Sequence, residues 1–487
     1  MSVEQPGKAL PGNNEELSKK RRLQILIAVA VGTFMGPLDS SAVNIALPNI
    51  SASFHASLAV AEWVVMAYLL IISSLLLTFG RLGDMYGHKR IYIAGFFTFT
   101  IGSFLCGMAT SITALILFRI IQAVGAGMMM SMGPAIITDI TPPKERGKSL
   151  GVIAVSVSIA LTTGPILGGF LTAKFGWPSI FYINVPIGIL ASLYAQRIIP
   201  DNKGHGARPF DIRGAVAIFV ALVTILLPLS YAEKVGWLNP YIIGSLIVGV
   251  GLIIYFVVLE RGIEHPMVDL SLFKNRLFSM ANLSALFNYS SMFSAVLLMP
   301  FYLEQLRNLS PAQAGFMLIP MPLTTMLVAP VSGAVSDHID TRYLSSLGMG
   351  ITAVGLWMLS NLRVDSSAAS ITVALMIVGL GSGMFQTPNN NAVMGTVPPN
   401  RRGIASGLLA SMRTIGMVFG VAISGAVFTS QLACLTKLYA SQGMAQEQLK
   451  VQAFTGAMHL AFLVSAGIAA FAVFTSLIRG PINANGQ

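Results

Sequence analysis

The chain carries little charge for its length. Only 10% of its 487 residues are Asp, Glu, Lys or Arg, whereas a soluble globular protein usually has about 25%. Because hydrophobic residues make up 54% of the sequence, this shortage excludes an ordinary soluble protein and indicates one embedded in a membrane. The net charge is +11, but the sequence has no long basic run and no aromatic–basic module, so we expect no nucleic-acid partner.

Motifs for catalysis are missing as well. The sequence has no P-loop for ATP hydrolysis, no His, Cys and Asp cluster with the spacing of a metal site, and no nucleophile elbow. Its two cysteines, Cys106 and Cys434, lie far apart in or beside apolar runs, and we interpret them as packing residues. No polar segment exceeds about twenty residues, so we expect no attached soluble domain. We therefore expect neither an enzyme nor a cofactor.

Long apolar runs dominate what is present. A membrane-spanning helix needs about 20 mainly apolar residues, whereas the strands of a membrane barrel appear as short alternating segments. The first run follows a polar tail and is too long for a signal-peptide core, so we expect a retained helix. The sequence therefore predicts an all-α polytopic membrane protein with fourteen transmembrane helices, near residues 23–48, 58–80, 91–110, 112–140, 147–173, 177–198, 214–232, 240–259, 277–303, 313–335, 343–361, 369–396, 403–430 and 454–478.

The basic residues are distributed unevenly between the two sides of the predicted membrane protein. With fourteen spans, 22 of the 30 Lys and Arg residues fall on the side of the N-terminus, 6 on the opposite side and 2 inside spans. Cytoplasmic loops of membrane proteins carry such an excess of Lys and Arg. We therefore expect a cell-membrane protein with both termini in the cytoplasm.

Short motifs recur at a constant spacing, which indicates an internal repeat. Gly125–Met128, Arg146–Gly147 and Gly164 are matched 256 residues later by Gly381–Met384, Arg402–Gly403 and Gly420. Two related bundles that face each other are a common arrangement for alternating access in transporters. We expect five segments: a cytoplasmic tail (1–22), an N-terminal six-helix bundle (23–198), linkers with two inserted central helices (199–276), a C-terminal six-helix bundle (277–478) and a second cytoplasmic tail (479–487).

Few ionisable residues are expected inside the bilayer, where charge is costly and usually functional, and Asp39 is the clearest of them. Asp39 lies 17 residues after Arg22, which is roughly 25 Å along a helix. Arg119 lies roughly 10 Å from the opposite end of its own predicted helix. In a hydrocarbon core of about 30 Å these depths coincide, so Asp39 and Arg119 are predicted to pair. We predict that Asp39 is a protonation site and that Arg119 modulates it; the alternative is a static structural pair.

Other polar and adaptable side chains are candidates for a substrate cavity. Ser40 and Asn44 stack on one helix face beside Asp39, although they are equally suited to bonding a neighbouring helix. Methionines such as Met128 offer adaptable apolar surface, which is more often core or lipid-facing. Three consecutive asparagines, 389–391, cannot share one helix face. The predicted cavity therefore includes Asp39, Ser40, Asn44, Met128, Gln386, Asn390 and Arg413, while Glu62 and His459 near helix ends are expected to be solvated.

The loop GRLGDMYGHKR, Gly80–Arg90, has more glycines and ionisable residues than a simple connector between two helices needs. Its basic residues help to fix orientation, but that does not account for Asp84 or the glycines. Gly80 and Asp84 recur at the same relative spacing as Gly333 and Asp337. We predict a gate at the seam between two bundles, where the glycines permit close approach and Asp84 meets helix-end donors or a basic partner.

The stretch GPILGG, residues 164–169, lies inside the fifth predicted span. Gly164 and Gly168 form a small-x-x-x-small pair that lets another helix approach closely. Pro165 removes a backbone hydrogen bond and bends the helix. A gating role and a simple packing kink are both open for this stretch.

Taken together, these stretches resemble one known family. The Gly80–Arg90 loop, LFRIIQAVGAG with Arg119 and Gln122, and ALTTGPILGG at residues 160–169 are similar to motifs of the major facilitator superfamily. Ala123 and Ala160 replace glycines that are usual there. LDSSAVNIALP, WPSIFYINVPIG and the PNNN of the twelfth span are similar to the fourteen-helix drug:proton antiporters of QacA/EmrB type. The resemblance covers essentially the whole chain.

The resemblance implies a major facilitator fold and roles for the motif residues. Closure of the cytoplasmic side would fall to Gly80, Asp84, Gly87, Arg90 and Asp337. Arg119 would take part in proton coupling, and Gln122 would join the predicted cavity. The antiporter motif would comprise Gly164, Pro165, Gly168 and Gly169. The eleventh to fourteenth predicted spans have no Asp or Glu in their interiors, unlike some multidrug members of that family. This weakens the case for dicationic substrates.

These features predict a proton-coupled secondary transporter that exports amphipathic, largely hydrophobic compounds by alternating access. Its partners would be a small-molecule substrate, protons and the lipid bilayer, and a monomer would suffice. One alternative is a transporter of a specific metabolite, vitamin or lipid on the same fold, since fold does not determine function. A second alternative is a membrane sensor or scaffold that transports nothing.

Overall fold

The structure is a computed structural model that describes residues 18–142, 145–201, 211–236, 239–263, 270–336, 338–398 and 402–480. Asp337 of the predicted gate lies outside these residues. Within them every extended element is helical and no strand occurs. The helices are α1 (Lys19–Ser53), α2 (Leu58–Ala61), α3 (Trp63–Tyr86), α4 (His88–Gly107), α5 (Ile112–Ile140), α6 (Arg146–Phe175), α7 (Ser179–Tyr182), α8 (Asn184–Ile198), α9 (Ile212–Val235), α10 (Pro240–Gly262), α11 (Arg276–Phe301), α12 (Pro311–Leu318), α13 (Pro320–Val335), α14 (Thr341–Ser360), α15 (Ala368–Gly395), α16 (Arg402–Ser441) and α17 (Gln446–Ile478).

Thirteen membrane-spanning candidates are found among the described residues, by length and apolar composition. The remaining predicted span falls on α9, a helix of 24 residues whose apolar stretch, Arg213–Ile225, is shorter. The protein is therefore an all-helical, multi-pass membrane protein with thirteen apolar spans, and the fourteenth stays a prediction.

Several spans differ in shape from the simple rods that run length predicts. The tenth predicted span is divided into α12 and α13, because Pro320 has no backbone N–H to continue the first helix. The end of α11 is followed by a π-turn, Tyr302–Leu306. α16 and α17 are longer than their apolar cores, because their polar extensions remain helical beyond the predicted spans.

The helices form two groups, α1–α8 and α11–α17, within which most packing occurs. Across the groups α3 packs on α16, α6 on α12, and α1 on α11. The inserted helices α9 and α10 form a hairpin, in which α9 also contacts α3 and α16. α10 is largely exposed, as expected for a helix that faces lipid.

Matched glycines bring neighbouring helices together in both groups. In α4 and α5, a Cβ on Gly95 would lie 3.0 Å from the carbonyl oxygen of Gly125. In α14 and α15, a Cβ on Gly348 would lie 2.7 Å from the carbonyl oxygen of Gly381. Because a Cβ contact below 3.4 Å is crowded, only glycine permits this backbone approach. The two groups thus share a packing device at corresponding positions in the sequence.

Candidate functional site

The two ends of the helix bundle are named here by their residues. The terminal face is the end that carries Lys19 of α1 and Ile478 of α17. The far face is the opposite end, which carries Ser53 of α1 and Pro311 of α12.

Asp39 lies on α1 with only 1% of its surface exposed. Its carboxylate forms an ion pair and a hydrogen bond with Arg119 of α5. It also accepts hydrogen bonds from Gln122 Nε2 at 2.8 Å and from Asn184 Nδ2 of α8 at 2.8 Å. The structure thus brings Asp39 and Arg119 together at one depth.

Arg119 is completely buried and held from several sides. Its Nη1 also donates to Gln122 Oε1 at 2.6 Å, and its Nε donates to the carbonyl oxygen of Val64 in α3 at 3.0 Å. The guanidinium carbon lies 3.9 Å from the ring centroid of Tyr68, in a cation–π contact. Its Nη2 has no hydrogen-bond partner among the described residues. The cation is therefore fixed in place, with one donor atom left unused.

Gln122 connects this pair to α4, because its Nε2 donates to Ser103 Oγ at 2.7 Å. We call Asp39, Ser103, Arg119, Gln122 and Asn184 the N-terminal polar cluster. Helices α1, α4, α5 and α8 contribute its members. All five are buried, so Asp39 is sealed inside one group of helices in this state, and proton exchange at Asp39 requires a rearrangement.

Sequence reasoning missed Ser103 and Asn184. Asn184 begins α8 directly after the one-turn helix α7, which turns its side chain towards Asp39. The stretch that contains Asn184, WPSIFYINVPIG, indicates only a resemblance to a family. A lone serine in an apolar run such as α4 carries no signal that separates it from an ordinary packing residue.

Ser40, Asn44 and Met128 lie outside the N-terminal polar cluster. Ser40 and Met128 are half-buried, while Asn44 is buried. The neighbouring Ser41 Oγ donates to the carbonyl oxygen of Leu161 in α6, at 3.3 Å. This face of α1 therefore contacts α6, and the predicted cavity role of the three residues stays a prediction.

The predicted cavity residues of the second group lie on α15 and α16. Gln386 is half-buried and donates from Nε2 to Ser382 Oγ at 3.1 Å. Asn390 is also half-buried. Arg413 is half-buried, and its guanidinium carbon lies 4.9 Å from the ring centroid of Tyr289 on α11.

The three consecutive asparagines differ in environment, as helical geometry requires. Asn389 is fully buried and donates to the carbonyl oxygen of Ala281 at 3.1 Å. Asn391 is exposed and donates to Ser336 Oγ at 3.1 Å. Of the three, only the half-buried Asn390 retains the intermediate exposure expected of a cavity wall.

Arg479 is the first residue of the predicted cytoplasmic tail, and the structure buries it, with 2% of its surface exposed. Its Nη1 donates to Asn389 Oδ1 at 3.1 Å, and its Nη2 donates to Ser345 Oγ at 3.2 Å. Burial lowers the pKa of Arg479 to about 10, so it stays protonated at neutral pH. Arg479 therefore ties the end of α17 to α14 and α15.

The loop between α3 and α4 lies at the terminal face. Gly87 has φ +98°, a conformation that glycine adopts without strain. Asp84 is exposed and accepts from His88 Nε2 at 3.2 Å, while His88 Nδ1 lies 2.7 Å from Asp139 of α5. Gly80 packs near Ser131 of α5, and Arg90 is exposed. The described contacts of Asp84 thus stay within its own group of helices, and sequence reasoning missed His88 as its partner.

The GPILGG motif places α6 between two neighbours. A Cβ on Gly168 would lie 2.7 Å from Ala42 Cα of α1, and Gly164 likewise packs on Ser41. On another side, a Cβ on Gly169 would lie 3.0 Å from the carbonyl carbon of Pro311 in α12. A Cβ on Gly315 of α12 would in turn crowd the carbonyl of Pro165. The motif therefore packs within its own group and across the boundary to the other.

Two carboxylates lie at the same boundary, near the far face. Glu304 of the π-turn accepts a hydrogen bond from Asn49 Nδ2 of α1. Glu62, between α2 and α3, is fully buried, with its carboxylate against the backbone of Gly425 in α16. The expectation that Glu62 is solvated is wrong, because α16 covers this end of α3. His459 is exposed as expected, with Nδ1 3.0 Å from the carbonyl oxygen of Ser360.

Comparisons with known proteins agree with this architecture. The family model "Major Facilitator Superfamily" matches residues 29–421 and 281–483. Riboflavin transporter RibZ of Clostridioides difficile (strain 630) is 38% identical over 417 residues, which cover 85% of this chain and 90% of that protein. Multidrug resistance protein 3 of Bacillus subtilis (strain 168) is 31% identical over 407 residues, covering 83% and 79%. Tetracenomycin C resistance and export protein of Streptomyces glaucescens is 30% identical over 408 residues, covering 84% and 76%.

Among solved structures, a bacterial homolog to the human lysosomal transporter Spinster, in an inward-facing and unoccupied conformation, is similar with a TM-score of 0.69. The identity is 17%, and the match covers 95% of this chain and 99% of that one. At that identity the likeness concerns the fold. The family match and the transporter relatives together indicate transport rather than catalysis. The protein is a membrane transporter that belongs to the major facilitator superfamily.

Proposed function

We propose that the protein is a drug:proton antiporter of the fourteen-helix type that exports amphipathic, largely hydrophobic compounds across the cell membrane. The observation that carries this proposal is the buried Asp39–Arg119 pair at the centre of the N-terminal polar cluster. A carboxylate paired with an arginine inside the bilayer is suited to taking up and releasing a proton. The similarity to a multidrug resistance protein and to a tetracenomycin C resistance and export protein supports export of diverse compounds.

Protonation of Asp39 would change the forces that hold α1 and α5 together. A neutral carboxyl loses its Coulomb attraction to Arg119 and leaves the buried guanidinium without a counter-ion. A buried guanidinium without a counter-ion is costly, so protonation favours a different conformation in which Arg119 has other partners. Its unused Nη2 gives it a free donor for such a change.

The two groups of helices, residues 23–198 and 277–478, would move as the halves of an alternating-access transporter. With the termini in the cytoplasm, the far face points outwards, and the contacts of Asn49 with Glu304 and of Gly169 with Pro311 close it. In the opposite state Asp84 would contact the second half at the cytoplasmic side. Arg90 and Asp337 would take part in the same gate. The substrate would bind between the halves, near Gln386, Asn390 and Arg413.

Transport by proteoliposomes tests the coupling assignment. An acidic bath should drive efflux of enclosed lipophilic dyes by the wild type, and Asp39→Asn should abolish the dependence of efflux on the proton gradient. Asp201→Asn is a matched control, because it removes an exposed acid at the end of α8 that pairs with Lys89. If Asp39→Asn retains proton-driven efflux, the assignment of Asp39 is wrong.

A specific vitamin transporter is a second candidate, favoured by the 38% identity to a riboflavin transporter. Riboflavin belongs in the same panel for this reason. Movement of riboflavin without movement of any dye would favour the specific transporter. A protein that moves no compound under any gradient would instead be a sensor or scaffold.

A further inference from the structure

Charged side chains are rare in the middle of the described helices. Only three Asp, Glu, Lys or Arg residues in the described part of the chain lie seven or more residues from both ends of their helix: Asp39, Arg119 and Arg413. Asp39 and Arg119 neutralise each other and are sealed from solvent. Arg413 is therefore the charge that remains in the interior, and the interior carries a net positive charge.

Arg413 forms no ion pair among the described residues. The acids nearest to mid-membrane in the second half, such as Glu304, lie at helix ends instead. A buried or half-buried cation without a counter-ion is costly in the low-dielectric interior of a membrane protein. A ligand that supplies a negative charge would remove this cost.

The position of Arg413 is fixed by its neighbours. Gly416 lies one turn further along α16, and a Cβ on it would be 3.1 Å from Leu286 Cα of α11. Residues three apart share a helix face, so Arg413 faces α11 too and rests over the ring of Tyr289. Tyr289 is buried and holds one face of the guanidinium, while part of Arg413 stays accessible. The guanidinium is thus oriented in advance for a ligand.

In the described part of the second half, apolar residues stand at the positions that match Arg119 and Gln122. The glycine pair Gly102–Gln122 in α4 and α5 is matched by Gly355–Val378 in α14 and α15, where a Cβ on Gly355 would lie 3.1 Å from Val378 Cα. The same spacing places Leu375 where Arg119 stands in the first half. Among the described residues, the repeat therefore places no acid beside these positions to compensate Arg413.

We infer that the transported substrate is an amphipathic organic anion, whose carboxylate, sulfonate or phosphate group binds Arg413 on its Tyr289 platform. A guanidinium offers a planar pair of donors that matches such groups, and the interaction strengthens where water is excluded. Gln386, with Ser382, supplies further neutral polar groups on α15. A cationic substrate would be repelled by Arg413. This inference rests on the proposed function as an exporter.

Two xanthene dyes of opposite charge test it, fluorescein as the anion and rhodamine 123 as the cation. Riboflavin serves as a neutral compound. Efflux from proteoliposomes is measured with an acidic bath, with the membrane potential clamped by valinomycin in equal potassium, and with leak from protein-free liposomes subtracted. We expect the wild type to transport fluorescein with a higher kcat/KM than rhodamine 123.

Variants of Arg413 should change this selectivity. Arg413→Gln should lower kcat/KM for fluorescein by about tenfold or more, the size expected for a charged hydrogen bond, and should leave riboflavin transport less affected. Arg413→Lys, which keeps the charge but loses the planar donor pair, should lose less. Tyr289→Leu should cost fluorescein several-fold. Arg307→Gln is a matched control, because Arg307 at the far face donates to the carbonyl of Ser366.

The outcomes separate the inference from the proposed function. A wild type that prefers rhodamine 123, or an Arg413→Gln variant with an unchanged ratio of fluorescein to riboflavin transport, overturns the anion assignment but leaves an exporter. A wild type that moves none of the three compounds overturns both. If Arg413→Gln does not fold, the selectivity of the wild type and of Arg413→Lys decides.

Discussion

At the scale of single residues, the Asp39–Arg119 pair is held by hydrogen bonds that cannot be replaced by water. Both side chains are buried, and each makes at least one further hydrogen bond to Gln122. A buried ion pair contributes little net stability compared with apolar residues, but removing one partner leaves an uncompensated charge. Single and double substitutions of this pair should therefore differ in their effects on the free energy of unfolding and on transport.

Arg119→Met should lower the free energy of unfolding by about 3–5 kcal/mol, because Asp39 would be left buried without its counter-ion. The double variant Asp39→Leu/Arg119→Met should recover most of that loss and still lack proton-driven transport. Denaturation in detergent micelles measures the first effect, and dye efflux measures the second. A double variant that transports normally would show that the pair has only a structural role.

The residue scale also shows what the sequence can predict. Asp39 and Arg119 stand out because charge is rare in apolar runs, and helical rise places them at one depth. Asn184 and Tyr68 contact the same pair, and Ser103 bonds to Gln122, but all three occur in runs where serine, asparagine and tyrosine are unremarkable. Their roles depend on which helices are neighbours, and this is decided by packing across the bundle.

At the scale of helices, the spacing of sequence motifs predicts helix packing, whereas run length does not predict the shape of the helices. The constant offset between glycine motifs corresponds to the same close approach in α4–α5 and α14–α15, at Gly125 and Gly381. Run length did not predict the break before Pro320 or the burial of Arg479, because both depend on local backbone chemistry and on the next helix. The GPILGG stretch, for which packing and gating were both open, packs on α1 and on α12 at once.

Gly169→Val should therefore impair transport, because its side chain would strike Pro311 and separate α6 from α12. Gly151→Val is a matched control in the same helix, since a Cβ on Gly151 meets nothing within 4 Å. Spin labels on the exposed Lys174 and Gln305 report the separation at the far face. We expect a longer distance and slower efflux for Gly169→Val only. An unchanged distance would limit the motif to packing on α1.

At the scale of the whole molecule, the two halves are similar in packing and different in charge. The first half contains the N-terminal polar cluster, and the second carries Arg413 beside Tyr289 without an ion pair among the described residues. We propose that the proton therefore binds in the first half, whereas the charged group of the substrate contacts the second. Binding at either site influences the other only through contacts that both halves share, which the structure shows near the far face.

Contacts that close the terminal face should stabilise one state, and contacts that close the far face should stabilise the other. The reason is that a transporter that alternates cannot close both faces in the same way at once. Asn49→Ala removes the hydrogen bond to Glu304 and should shift the population towards a far face that is open. Asp84→Asn should shift it the opposite way, because the proposed gate uses the exposed Asp84 in the other state. A hydrogen bond to a charged group contributes about 1.5–3 kcal/mol, which corresponds to a population change of about tenfold or more.

The spin-label distance between Lys174 and Gln305 should lengthen in Asn49→Ala and shorten, or narrow in distribution, in Asp84→Asn. Transport should fall in both, since each cycle visits both states, while the unfolding of Asp84→Asn should match the wild type because its carboxylate is exposed. Combining the two substitutions should restore the distance distribution towards that of the wild type. Shifts in the same direction for both variants would contradict opposed gates and would indicate that Asp84 supports the state seen here.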